Sequence, residues 1–141
     1  MSTTSVQAPL CVGDDLPELV RGPITRGTLA LFAGASNDHV LLHIDSDFAR
    51  AAGEEDVFAH GMLSMAYLGQ LLTGHFPQAA LREWSVRFVA ITPLHATVHC
   101  FAKVAEIFQG SDGERLARLQ IGTRTGSGLP TLAGHAIVAL D

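Results

Sequence analysis

The sequence predicts a single α+β domain in which an antiparallel β-sheet wraps around a long apolar helix. Three observations carry that prediction. Residues 61–76 hold Met62, Leu63, Met65, Ala66, Leu68, Leu71 and Leu72 with almost no polar face, which predicts a central helix buried nearly all round. From Trp84 onward the chain turns to short runs in which apolar and polar residues alternate. Between two of those runs stands Gly110-Ser111-Asp112-Gly113, a hairpin marker.

Each element follows from local chemistry. Residues 1–15 are small and polar and predict a flexible arm, leaving 16–141 as the domain. Residues 19–24 are a strand candidate ending at Thr25, and Thr25 is a helix N-cap ahead of Leu29, Leu31 and Phe32. That helix should stop between Gly34 and Asn37, where turn-forming residues collect. Asp45 and Ser46 cap a short helix over 47–52, which Gly53 ends. Glu54-Glu55-Asp56 reads as a solvated loop. The central helix, about 22 Å long at about 1.5 Å per residue, ends before Pro77. Strand-like runs follow at 84–90, 97–105, 116–123 and 132–140, the last after a loop at Gly126-Ser127-Gly128. An antiparallel sheet of this kind has one face to cover, and the helix supplies the cover.

Composition narrows the function classes. At 141 residues, 48% hydrophobic and 16% charged, the chain has a substantial core and needs no disulfide or metal to hold it. A net charge of −5 argues against a nucleic-acid partner. No stretch suits a membrane span and the first residues carry no secretion signal. Cys11 and Cys100 have neither paired nor metal-like spacing, so a reducing, cytoplasmic setting is expected.

Chemistry concentrates in two short stretches. Asp38 and His43 are five residues apart, a spacing that puts side chains about 140° apart on a helix and on opposite faces of a strand. They converge only where 38–43 is irregular, as Gly34, Ser36 and Asn37 beside it suggest. His60-Gly61 opens the central helix, whose first turn has free N–H groups and partial positive charge. Glycine lets a ligand carbonyl approach that end closely, and Ser64 offers a hydroxyl one turn on. A carboxylate and an imidazole beside such a cradle suit proton transfer next to a polarised carbonyl.

Asp38 and His43, the Phe48-Ala49-Arg50-Ala51-Ala52-Gly53 segment and Ala59-His60-Gly61-Met62-Leu63 together resemble the MaoC-like dehydratase family, the (R)-specific enoyl-CoA hydratases and 3-hydroxyacyl-thioester dehydratases of hotdog fold. The resemblance implies a hydro-lyase that reversibly hydrates trans-2-enoyl thioesters to (R)-3-hydroxyacyl thioesters. Asp38 and His43 would handle water and protons, and Gly61 with Ser64 would hold the thioester carbonyl. Phe58, His60, Met62 and Met65 would border the acyl pocket. It further implies an acyl thioester of coenzyme A or acyl carrier protein as partner, no cofactor, and a homodimer paired edge to edge. The family's Asn-Pro is Val40-Leu41 here, the glycine before its aspartate is Asn37, and its Pro-Gly-Asp turn is Pro93-Leu94-His95.

Plainer readings stand beside these. Asp38 alone is a turn former, His43 alone a packing residue, and Met62 and Met65 core residues. His43-x-Asp45-x-Asp47 has the look of a metal ligand run, but helix capping accounts for Asp45 and Asp47, and no metal is expected. His75, His95, His99 and His135 belong to surface or packing. Two alternatives share the fold: a thioesterase, and a non-catalytic acyl-thioester-binding partner subunit, the latter motivated by Val40-Leu41.

Overall fold

A computed structural model describes residues 9–140. Its order is β1 (Leu19–Arg21), α1 (Arg26–Ser36), α2 (Leu41–Ile44), α3 (Ser46–Ala51), α4 (Gly61–His75), β2 (Leu81–Phe88), β3 (Val98–Gln109), β4 (Arg115–Thr125) and β5 (Pro130–Ala139). The five strands form one antiparallel sheet in the order β1-β3-β4-β5-β2, and α4 lies against every one of them. This is the expected α+β arrangement.

Strand alternation builds the core. Val98, Cys100, Ala102 and Val104 of β3 and Ala117, Leu119 and Ile121 of β4 bury every second side chain against Leu63, Leu68, Leu71 and Leu72 of α4. Two tight turns, around Gly110-Ser111-Asp112-Gly113 and Gly126-Ser127-Gly128, join β3 to β4 and β4 to β5. The pairing of β5 with β2 is non-local and needs one close approach. A Cβ at Gly134 would lie 1.9 Å from the Ser85 carbonyl oxygen, so only glycine lets β2 come this near.

Several expectations need correcting. The central helix is not buried all round: Met62, Ala66, Gln70, Thr73 and Gly74 form an exposed stripe, because the sheet wraps one side of α4 only. Of the expected flexible arm, residues 1–8 lie outside the described residues. Its last residues are tied to β3, with Gly13 N–H donating to the Val104 carbonyl at 2.8 Å and Val104 N–H to the Asp14 carbonyl at 2.8 Å. The strand predicted over 19–24 is shorter, and α2 is a helical turn that the sequence reading had as irregular chain. Asp56 is not a solvated loop residue. It accepts from Ser46 Oγ, the Val57 N–H, Arg26 and Arg50, which hold its carboxyl down at about 2 and tie α1 and α3 to the chain leading into α4. No described helix is long and apolar enough to cross a membrane.

Candidate active site

Helix capping sets the stage. Thr25 Oγ1 accepts the Thr28 N–H at 3.1 Å, the Thr25 N–H donates to Thr28 Oγ1 at 3.2 Å, and α1 runs from this box to Asn37, which ends it in the left-handed region at φ 58°. The chain then bends. Asp38 Oδ1 accepts the Val40 N–H at 3.3 Å, an Asx turn, and α2 follows at once. The bend at 38–40 and the single turn at 41–44 together bring Asp38 and His43 to one place, so only half of the predicted irregular segment is irregular.

Hydrogen bonds assign both imidazole tautomers. A carbonyl oxygen only accepts, so His43 Nδ1, 2.8 Å from the Phe58 carbonyl, carries the proton and leaves Nε2 with its lone pair. By the same logic His60 Nε2–H donates to the Asp38 carbonyl at 3.0 Å. The two imidazoles stack with centroids 4.0 Å apart and planes 25° apart. Phe32 meets His60 edge-on at 4.9 Å and Phe58 meets His43 edge-on at 5.0 Å, giving a row of four rings.

His60 is 1% exposed, and burial above all pulls its pKa down, the bond to the Asp38 carbonyl only partly opposing this. It is therefore neutral at pH 7. His60 Nδ1 and Ser64 Oγ are buried with no hydrogen-bond partner among the described residues. A buried polar atom left unpaired costs about 1–3 kcal/mol, so this corner of the core is built at some expense.

A carboxylate oxygen of Asp38 and one ring nitrogen each of His43 and His60 lie within 4.8 Å of one another. One water, with hydrogen bonds of about 2.7–3.2 Å, spans such a gap. A metal fits poorly. Near-parallel stacked rings send their lone pairs side by side rather than to a common point. Asp45 caps α3 through the Asp47 and Phe48 N–H groups, as expected.

An apolar cavity of about 410 Å³ opens beside Asp38, walled by Phe58, Gly61, Met62, Phe88 and Ile91 among others. Asp38, Phe58, Gly61 and Met62, all expected at the site, line this cavity. His43 stands in the polar cluster rather than on the cavity wall. His60, Ser64 and Met65, expected around the pocket, are not on its wall: His60 and Ser64 are fully buried behind it, and Met65 packs on the core. The cause is helical geometry. Ser64 lies three positions beyond Gly61, about 60° round the axis, and that rotation turns it from the cavity into the core.

Phe88 was not foreseen. Its ring atoms come within 3.1 Å of where a Cβ at Gly61 would stand, so this glycine admits an aromatic ring from β2 over the start of α4. Ile91 and Leu132 also reach the cavity from distant sequence. The alternation of 84–90 marked Phe88 as a strand residue, but nothing local shows what it covers.

Three further histidines are peripheral. His75 contacts the Pro17 carbonyl, His99 pairs with Glu18 and His135 with Glu83. Burial pushes the Cys100 thiol up to about 12, which leaves it unreactive.

Residues 12–121 match the family model for the MaoC like domain. A curated relative, the mitochondrial 3-hydroxyacyl-[acyl-carrier-protein] dehydratase of Arabidopsis thaliana, is 32% identical over 87 residues, which is 62% of this chain. The match spans about half of that relative's length, 51%. The (R)-hydratase from A. caviae involved in PHA biosynthesis superposes with a TM-score of 0.81 at 26% identity, covering 96% of this chain and 100% of that one. R-hydratase PhaJ1 from Pseudomonas aeruginosa, unliganded, gives 0.80 at 24% identity over 94% of this chain and 83% of its own, a likeness of fold alone. The fold is the hotdog fold of these neighbours.

Proposed function

The chain belongs to the MaoC-like domain family, and from that membership we propose that it is a hydro-lyase adding water reversibly to trans-2-enoyl thioesters to give (R)-3-hydroxyacyl thioesters. The observation that carries the reading is the polar cluster at the mouth of an apolar cavity. The Asp38 carboxylate and a His43 ring nitrogen lie within one water's reach, beside the N-terminus of α4 at Gly61.

In the hydration direction the acyl chain enters the cavity with its C2=C3 bond over Asp38. Asp38 takes a proton from the water while the water oxygen bonds to C3, and His43 Nε2 orients that water through its lone pair. The π electrons move through C2 to the thioester oxygen, where the free N–H groups at the start of α4 stabilise the enolate. A proton returned from the Asp38/His43 pair to C2 completes the addition, and dehydration runs the same path backwards. The partner is an acyl thioester of coenzyme A or acyl carrier protein, no cofactor enters the chemistry, and the protein acts as a cytoplasmic homodimer.

The test is a panel of short, medium and aromatic enoyl thioesters, followed by loss of the conjugated ultraviolet band. Turnover by the wild type is expected, and silence across the panel counts against a hydro-lyase. A stable monomer in sedimentation at micromolar concentration removes the homodimer. One feature favours a second reading, an acyl-thioester-binding subunit without turnover: Val40 and Leu41 put exposed apolar side chains next to Asp38. Thioester binding that is silent in the panel and unchanged by His43→Ala is its signature.

A further inference from the structure

We propose that His60 is the positioning residue of the site, locking Asp38 and His43 into one fixed arrangement through its Nε2–H and its ring face. The proposal deepens the hydro-lyase reading and rests on it for its kinetic test.

Three contacts meet in this one side chain. Its Nε2–H holds the carbonyl of Asp38 at 3.0 Å, which anchors the bend carrying the carboxylate. Its face lies 4.0 Å from the His43 ring, which is fixed at its other side by the Phe58 carbonyl and ring. Its backbone is the N-cap of α4, so the same residue sets the position of the Gly61 N–H. Base, water-orienting imidazole and carbonyl cradle therefore share one reference point, although they come from three separate segments of chain.

The unpaired Nδ1 speaks against simple packing. A phenyl ring fills the same space between Phe32 and His43 without burying a nitrogen that has no partner among the described residues. What phenylalanine lacks is the donor to Asp38. Electrostatics agree: the groups that face His60 are His43, Asp38 and His39, and burial keeps the ring neutral among them. A neutral ring stacks no like charge against His43.

Two substitutions separate these roles. His60→Phe keeps the stack and loses the donor, and His60→Gln keeps an amide donor near the Asp38 carbonyl and loses the stack. We expect kcat for enoyl-thioester hydration to fall about 10²-fold in His60→Phe with KM little changed, and His60→Gln to recover part of the loss. Loss of thermal stability with kcat within twofold overturns the proposal.

Imidazole NMR supplies an arm that needs no turnover and no variant. In the wild type the neutral His43 ring should hold one tautomer, protonated at Nδ1, and His60 should be protonated at Nε2 and titrate below an ordinary imidazole. A His60 that titrates as an ordinary imidazole, or a neutral His43 with mixed tautomers, overturns the proposal. If the wild type turns nothing over, the hydro-lyase reading falls, and the NMR result still decides whether His60 positions the pair.

Discussion

The sheet and the surroundings of Asp38 treat buried polar atoms in opposite ways. On β4 and β5 the Thr123 and Thr131 hydroxyls are buried and meet each other at 2.7 Å, so neither is left wanting. The N-cap and first turn of α4 bury His60 Nδ1 and Ser64 Oγ with no partner among the described residues. Apolar surface divides the same way. The strands hide Leu119 and Ile121, whereas the cavity rim exposes Met62 at 51% and Phe88 at 59%. One region is satisfied and closed; the other carries unspent polar capacity and uncovered apolar surface, which is where chemistry on a ligand becomes possible.

Substitutions on either side should therefore part activity from stability. The largest effect is expected for Asp38→Asn. The amide keeps the shape of the bend and cannot accept the water's proton, so kcat/KM should drop about 10³-fold while the urea midpoint hardly moves. Equal loss of both would place Asp38 with the scaffold and erase the contrast. Leu119→Ala tests the other region. Its side chain is fully buried between sheet and α4, and unfolding free energy should fall by about 2–5 kcal/mol with kcat of the folded fraction unchanged.

Gly61→Ala sharpens the boundary between the two. The new methyl would meet the Phe88 ring at 3.1 Å, but that ring is largely exposed and can swing aside. Stability should stay within about 1 kcal/mol, and turnover should fall about tenfold as the approach to the helix end fills.

Asp56 gives the smallest effect. Its carboxyl is held at about 2 in the folded chain, below its ordinary 3.8, by Ser46, the Val57 N–H, Arg26 and Arg50. A lowered folded value means stabilisation present above the unfolded value and lost as pH falls from 3.8 through about 2. The urea midpoints of wild type and Asp56→Asn should differ at neutral pH and converge over that acid window. A difference undiminished between pH 4 and pH 2 would mean that packing, not charge, holds this junction.

What the sequence made legible was what local chemistry dictates. Thr25 capped its helix, Gly110 to Gly113 turned a hairpin, Pro77 lay past the end of α4, and the strands followed their alternation. Asp38 and His43 come together, though through a bend and a helical turn where their spacing called for irregular chain throughout. What stayed hidden depends on partners far along the chain. Nothing in Glu54-Glu55-Asp56 announces Arg26, nothing in His60 announces that its ring lies on His43 instead of facing the cavity, and nothing in Phe88 announces Gly61. The exposed stripe of α4 escaped for a related reason: an apolar sequence cannot tell whether a sheet will enclose it on one side or two.

Gly134 has a reach beyond its own strand. A slip of β2 along β5 by a single residue would bring Ala133 or His135 opposite Val86, where any Cβ collides with the neighbouring backbone. The glycine thus serves as an indexing notch, and β2 clicks into one setting. Phe88, the aromatic lid over the first turn of the central helix, inherits its place from that notch several residues away.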